Sequence, residues 1–319
     1  MAEFIIRTED IRQEEIISLF VEGATDRSII KKLKSQNPVI LEGSRGTGKS
    51  FLLRICEEEQ NQRFSTDRIV PIYITFAKSS LLQTNDKLQF IHWMLSRICS
   101  QVIRILRKKG LNLNSSHAIS ILSGQPEISK KTKIEELATQ YEESYKKQPQ
   151  SFDISSLPSI EEFKDAIEDI SSDLNIKRFN FLFDEVAHIL RPEQQRQFFT
   201  LFRDLRSPYI TCNAAVYPGV TSYGETFQTS HDADVISLTR RPSEPGYVDY
   251  MKDIVFKQSV DQQKDSINRN GENFTALAYC ASGNPRVLLN PTYSLHRPEP
   301  QLPRTDVRLG PSMPCVSPI

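Results

Sequence analysis

The chain has 319 residues, 38% of them apolar and 25% charged, which is enough for a large buried core and excludes wholesale disorder. Forty Lys+Arg balance forty Asp+Glu, so no global field marks a nucleic-acid binder, although local basic patches remain open. Five scattered cysteines form no CxxC pair, which argues against a zinc site or a disulfide framework and for a reduced, cytoplasmic compartment.

At the N-terminus no basic segment precedes an apolar core, so no signal peptide is read there, and no later run approaches the ~18 apolar residues of a membrane span. DIRQEEIISLF, from Asp10 to Phe20, is amphipathic and predicts a helix. ATDRSIIKKLK, Ala24 to Lys34, predicts a second, with Asp26 as its N-cap. A short strand follows over Pro38–Leu41, then a glycine-rich loop, then a helix beginning KSFLLRIC with Phe51, Leu52, Ile55 and Cys56 on one face. Arg68–Ala77, rich in β-branched and aromatic residues, predicts the next strand. Lys87–Lys109 reads as a long helix whose Trp93 belongs to a core, and residues 110–158 read as a polar insertion with one helical stretch. Ser159, three before Glu162, opens another helix through a capping box.

RFNFLFDE then gives a buried strand ending in two acids, PEQQRQFFTLFRDL a helix with Pro192 near its first position, and YITCNAAVY and DVISLTR two further strands. From Tyr247 the pattern is helical as far as Asn290. Strands alternating with helices predict an α/β fold, a central parallel sheet covered on both faces, followed by a small α-helical piece. The organisation expected is a core over 1–243 with a helical insertion at about 85–160, a partial helical lid over 244–290 and a Pro-rich, disordered tail over 291–319. The abrupt change of composition in that tail suggests a truncated or reading-frame-shifted end.

The loop Gly43-Ser44-Arg45-Gly46-Thr47-Gly48-Lys49-Ser50 fits G-x-x-x-x-G-K-[ST], the Walker A pattern. Its glycines let successive backbone N–H groups turn inward around a polyanion. Lys49 brings a cation to the β- and γ-phosphates, Ser50 a hydroxyl ligand for Mg²⁺, and the helix that begins around Phe51 aims its N-terminal dipole at the same place. A phosphate loop demands an acid at the end of a neighbouring buried strand. Asp184 is expected to hold the Mg²⁺ shell (Walker B) and Glu185 to orient and activate the attacking water. The histidines show no metal-ligand spacing; His188, four after Asp184, reads as a packing residue near the site.

Through GSRGTGKS, FLFDE, ITCNAAVYPGVTSYG and SGNPRVLL, residues 10–290 resemble P-loop ATPases of the AAA+ and STAND kind, most closely the origin-recognition and replication-licensing branch and its prokaryotic relatives. The resemblance implies a three-layer α/β/α P-loop NTPase core, ATP and Mg²⁺ as ligands, and assembly into a homo-oligomer or with a partner protein. It implies a polar γ-phosphate sensor, for which Asn213 is the residue type expected, with Thr221 or Ser222 as alternatives. It implies a lid arginine on the γ-phosphate, Arg286, and an arginine acting from a neighbouring subunit, for which Arg191, Arg203, Arg206, Arg240 and Arg241 are candidates. Licensing ATPases follow the lid with a winged-helix DNA-binding domain, whereas here the helical pattern stops near Asn290. Two functions follow: an ATP-hydrolysing switch or assembly ATPase in prokaryotic defence or signalling, or a DNA-binding initiator or loader, which the neutral charge does not support.

Overall fold

The computed structural model describes residues 4–77, 87–111, 117–125, 131–144, 152–186 and 191–295. His188 and residues 296–319, most of the expected tail, lie outside the described residues. No helix among them is long and apolar enough to cross a membrane.

Chain order gives α1 (Asp26–Leu33), β1 (Val39–Glu42), α2 (Lys49–Gln62), α3 (Phe64–Asp67), β2 (Ile69–Thr75) and α4 (Lys87–Lys108). Next come α5 (His117–Ser123), α6 (Lys133–Glu143), α7 (Ile160–Asp173), β3 (Arg178–Asp184), α8 (Pro192–Asp204), β4 (Ile210–Val216), α9 (Thr229–Asp232) and β5 (Asp234–Ser237). Four helices close the described chain: α10 (Tyr247–Phe256), α11 (Asp261–Arg269), α12 (Gly271–Cys280) and α13 (Pro285–Leu295). All strand pairs are parallel, in the order β2-β3-β4-β1-β5.

A parallel sheet needs cover on both faces, and the period-two alternation of its strands decides which residue meets which layer. On one face Phe179, Phe181 and Phe183 of β3 join Ile72 and Ile74 of β2 and residues of α4, α7 and α8 in the larger core. Phe183 stacks on Phe76 and meets Phe198 edge-on at 5.4 Å, one contact of an aromatic cluster that includes Trp93. On the other face Val39 and Leu41 of β1, Leu182 of β3 and Ala215 of β4 pack against α1 and α2. Asp184 is two residues from Leu182, so alternation turns it toward α2 and the glycine-rich loop.

The N-terminal stretch departs from expectation. In place of a helix over Asp10–Phe20 there are two single 3₁₀ turns, Thr8–Asp10 and Gln13–Glu15. The apolar spacing is real, but it buries Ile11 and Ile16 against α1 and α2, with Gln13 Nε2 donating to the Arg54 carbonyl. Tertiary packing has outweighed helix propensity. Asp26 is the first residue of α1 and not its N-cap; its Oδ2 accepts from Gly23 N at 2.9 Å, and the carboxylate holds Arg240 through two hydrogen bonds of 3.0 and 3.1 Å. Both capping boxes of the midsection form, Thr132 with Glu135 and Ser159 with Glu162.

The last four helices build their own core from Tyr247, Met251, Phe274, Ala278 and Leu288, which Phe4 of the N-terminal strap completes. α13 runs to Leu295, five residues past the expected stop at Asn290 and through Pro291. Tyr247 ties the bundle to the segment before α13: its hydroxyl donates to the Ala278 carbonyl at 2.6 Å and accepts from Gly283 N at 2.7 Å. Gly283 has φ of +77°, and a Cβ there would collide with the Arg240 carbonyl oxygen. Gly283→Ala is therefore expected to destabilise the chain by ~2 kcal/mol or more, read as a lower urea midpoint, whereas Gly271→Ala, at an open helix position, should not lower it.

Candidate nucleotide site

Ligand crevices of open parallel sheets lie beyond the carboxyl ends of the strands. β1 runs into the loop Gly43–Gly48, β3 ends on Asp184, and β4, which lies between β1 and β3, runs out into Tyr217. The strand order therefore delivers these three groups side by side, in a cleft of about 410 Å³ whose other wall comes from the N-terminal strap, α10 and α13. That size suits a small-molecule ligand.

Gly46 and Gly48 adopt φ of +88° and +100°, the backbone that wraps the loop and hands it to α2. Lys49 is 8% exposed; its Nζ donates to the carbonyls of Gly43 at 2.5 Å and Ser44 at 2.9 Å and lies 4.3 Å from the centre of the Tyr217 ring. Burial lowers its pKa to about 8, Arg286 pushes the same way, and only the charge of Asp184 opposes them.

Asp184 is 2% exposed and holds two donors, Tyr73 Oη on Oδ2 at 2.6 Å and Glu185 N on Oδ1 at 2.8 Å. Glu185 sits at φ +57°, unusual for a residue with a side chain, and its Oε2 accepts from Thr75 Oγ1 at 2.8 Å. Burial beside Asp184 raises the Tyr73 pKa well above the usual phenol value, so it remains a donor. Among the described residues no group of three or more His, Cys, Asp or Glu could by itself cage a metal. Asp184 and Ser50 line the same cleft, and one carboxylate with one hydroxyl is a donor set that fits Mg²⁺, which would need only one or two protein oxygens.

Asn284 is the N-cap of α13, its Oδ1 accepting from Arg286 N and Val287 N at 3.1 and 3.3 Å, while its Nδ2 donates to the Arg45 carbonyl at 2.8 Å. A Cβ on Gly46 would strike Asn284 Oδ1 and come within 2.9 Å of Arg286 Cβ. Arg286 lines the cleft, and its buried Nε has no hydrogen-bond partner. Arg240 also lines it, but its guanidinium is committed to the buried Asp26 and stacked over Tyr250 at 5.0 Å.

The expected residues of the loop, Arg45, Gly46, Gly48, Lys49, Ser50 and Phe51, line this cleft together with Asp184, Glu185 and Arg286. Gly43, Ser44 and Thr47 shape it from behind, through the Lys49 bonds and Thr47 Oγ1 donating to the Ser44 carbonyl. Asn213 is a correction. It pairs with Val39, the first residue of β1, far down the strand from the loop. There it accepts from Val39 N at 3.0 Å and donates to the Leu33 carbonyl and to Asn180 Oδ1 at 3.1 and 2.7 Å, closing the end of α1 in a buried polar network. Thr221 and Ser222 are engaged with the Tyr217 carbonyl and with α8. Tyr217, the first residue beyond β4, is the residue of that segment that lines the cleft beside Lys49. Sequence reading passed over it because the signal, the first residue beyond a strand flanked by both motifs, requires the strand order.

Residues 5–89 match the family model described as ORC-CDC6-like. Over that segment the match supports a family-level relationship to AAA+ ATPases of that type; it holds the glycine-rich loop and β2 and ends before the acid pair and Arg286. Comparison with curated proteins gave no match.

Asn284 joins the loop to the helical bundle through a group that sequence alone assigned no role. Asn284→Asp keeps the helix cap but replaces the donor to Arg45 with a carboxylate. Amide hydrogen exchange at Arg45–Thr47 should speed up ~10-fold while α13 stays protected, corresponding to loss of one hydrogen bond of ~1 kcal/mol; unchanged exchange would show that this contact does not hold the loop.

Proposed function

We propose that the chain binds a magnesium nucleoside triphosphate, ATP by analogy with AAA+ ATPases, in this cleft and hydrolyses it, acting as a switch or assembly ATPase. One observation carries the reading: Lys49 and Arg286, whose charge helps to hold the Lys49 pKa down, share a cleft with two carboxylates and a loop of positive-φ glycines. Among the described residues neither cation forms a salt bridge with a carboxylate, and two such cations brought together invite a polyanion.

Lys49 would exchange the carbonyls of Gly43 and Ser44 for phosphate oxygens, and backbone amides at the start of α2 would receive the rest. Asp184 and Ser50 would hold Mg²⁺, which when bound neutralises charge on the phosphates. Glu185, fixed by Thr75, would orient the attacking water and take its proton. Arg286 would follow the charge that develops on the departing phosphoryl group, so loss of that charge after hydrolysis would relax the hold of α13 on the loop. The apolar part of the lining, Ile5, Ile6, Phe20, Tyr250 and Ile254, would cover the base.

The process served is proposed by analogy: assembly, signalling or defence among stand-alone prokaryotic relatives. For an arginine acting on a neighbouring copy, Arg240 and Arg203 are spoken for by Asp26 and Asp204, which leaves Arg191, Arg206 and Arg241. A second reading, a DNA-binding initiator or loader, is favoured by the family description alone. It requires a salt-dependent shift of duplex DNA, which the first reading does not.

Lys49→Ala should abolish nucleotide binding, and Glu185→Gln should keep binding while lowering phosphate release ~100-fold or more; equal turnover by Glu185→Gln and the unsubstituted chain would remove Glu185 from its role. Binding a triphosphate restores Lys49 to its charged form. Affinity should thus be flat below its pKa of about 8 and fall as pH rises above it, with proton uptake on binding in calorimetry. An affinity constant through pH 9 would contradict contact between that ammonium and the phosphates.

A further inference from the structure

The second hydroxyl that β2 sends toward the acids has no role in the chemistry above. Tyr73 and Thr75 are two residues apart on one face of β2 and pair in register with Leu182 and Asp184 of β3. Each reaches one acid: Thr75 reaches Glu185 and Tyr73 reaches Asp184. The Tyr73 ring is pinned independently of that bond. The Arg54 guanidinium lies 4.9 Å from the ring centre, and the main chain that carries the ring is held where the Tyr73 carbonyl accepts from Gln101 Nε2 at 2.9 Å. A phenol so fixed can impose its geometry on the carboxylate and need not follow it.

Resting on the nucleotide-hydrolysis reading, we propose that Tyr73 is a positioning residue for the metal: its hydroxyl sets the orientation of the Asp184 carboxylate and keeps it available to the Mg²⁺ shell.

Asp184 has two anchors, one per oxygen, and they differ in kind. The Glu185 N–H is a backbone donor next in the chain and moves with the acid. Tyr73 comes from the neighbouring strand and is the anchor that ties the carboxylate to the sheet. Remove it and Oδ2 loses its donor inside a nearly dry site. The carboxylate can then turn out of the direction in which the metal shell needs it, while Lys49 and the loop amides stay as they are. Removing groups that orient a metal ligand commonly costs 10- to 100-fold in metal affinity.

The test is Tyr73→Phe, which keeps the ring beneath Arg54 and deletes only the hydroxyl. A fluorescent ATP analogue is titrated onto the full chain in EDTA, then at fixed nucleotide with increasing MgCl₂. The substituted chain should bind in EDTA within about twofold of the unsubstituted one but need ~10-fold more Mg²⁺ for half-saturation. Thermal melting in EDTA checks that both chains are folded. In an Asp184→Asn background, Tyr73→Phe should shift the Mg²⁺ midpoint no further, because the group it orients is gone. An unchanged midpoint in the single variant overturns the proposal, and so does a loss of binding that is equal in EDTA and in Mg²⁺, which marks a structural residue. If the unsubstituted chain binds no nucleotide, or binds it identically with and without Mg²⁺, the functional reading itself falls and the inference with it.

Discussion

A buried ammonium organises this cleft. Lys49 is drawn out of water to the point where its pKa falls to about 8, and two backbone carbonyls, an aromatic face and a neighbouring carboxylate compensate it. Each of those compensating groups belongs to a different piece of the fold: the loop after β1, the residue after β4 and the end of β3. The strand order β3-β4-β1 is what makes them converge, and it fixes Tyr217 between the lysine and the acids. Any rearrangement of the sheet edge would leave a desolvated charge without partners, which costs several kcal/mol.

The helical bundle is coupled to that centre through main-chain atoms more than through charge. Asn284 binds the Arg45 carbonyl, the Gly283 backbone leans on the Arg240 carbonyl, and Gly46 has no room for a side chain because Asn284 and Arg286 are there. From the other side Phe4 inserts into the bundle core while Ile11 and Ile16 insert into the core of the sheet. Ile5 N donates to Gln258 Oε1 at 2.7 Å along the way. The strap and α13 thus span the same cleft from opposite directions, and both would report on what fills it.

Much of this was legible in the sequence, for physical reasons that differ by element. The glycine-rich loop and the acid pair, which the fold brings to one cleft, could be picked out because each is contiguous: three glycines before Lys49-Ser50, and an aromatic strand ending on Asp184-Glu185. All five strands were found from β-branched and aromatic runs, and the sheet is parallel as the alternation with helices implies. What failed depended on register. Asn213 has the right chemistry on the right strand, but pairing with Val39 puts it at the wrong depth. Tyr73 and Thr75 matter only through cross-strand neighbours in β3, and Asp26 only because a chain segment 214 residues later returns to it. The amphipathic N-terminal stretch showed which residues are apolar but not that the chain would pack on α1 and α2 through short 3₁₀ turns.

The central claim is that Lys49 and Asp184 close on one magnesium-bound triphosphate. Diffraction from crystals grown with Mg²⁺ and a non-hydrolysable ATP analogue tests it most directly. The account predicts that the analogue's phosphates lie over the amides of Gly46–Ser50, with the Lys49 ammonium moved from the Gly43 and Ser44 carbonyls onto phosphate oxygen. Lys49 still bound to those carbonyls, with the analogue seated outside the cleft, would contradict it.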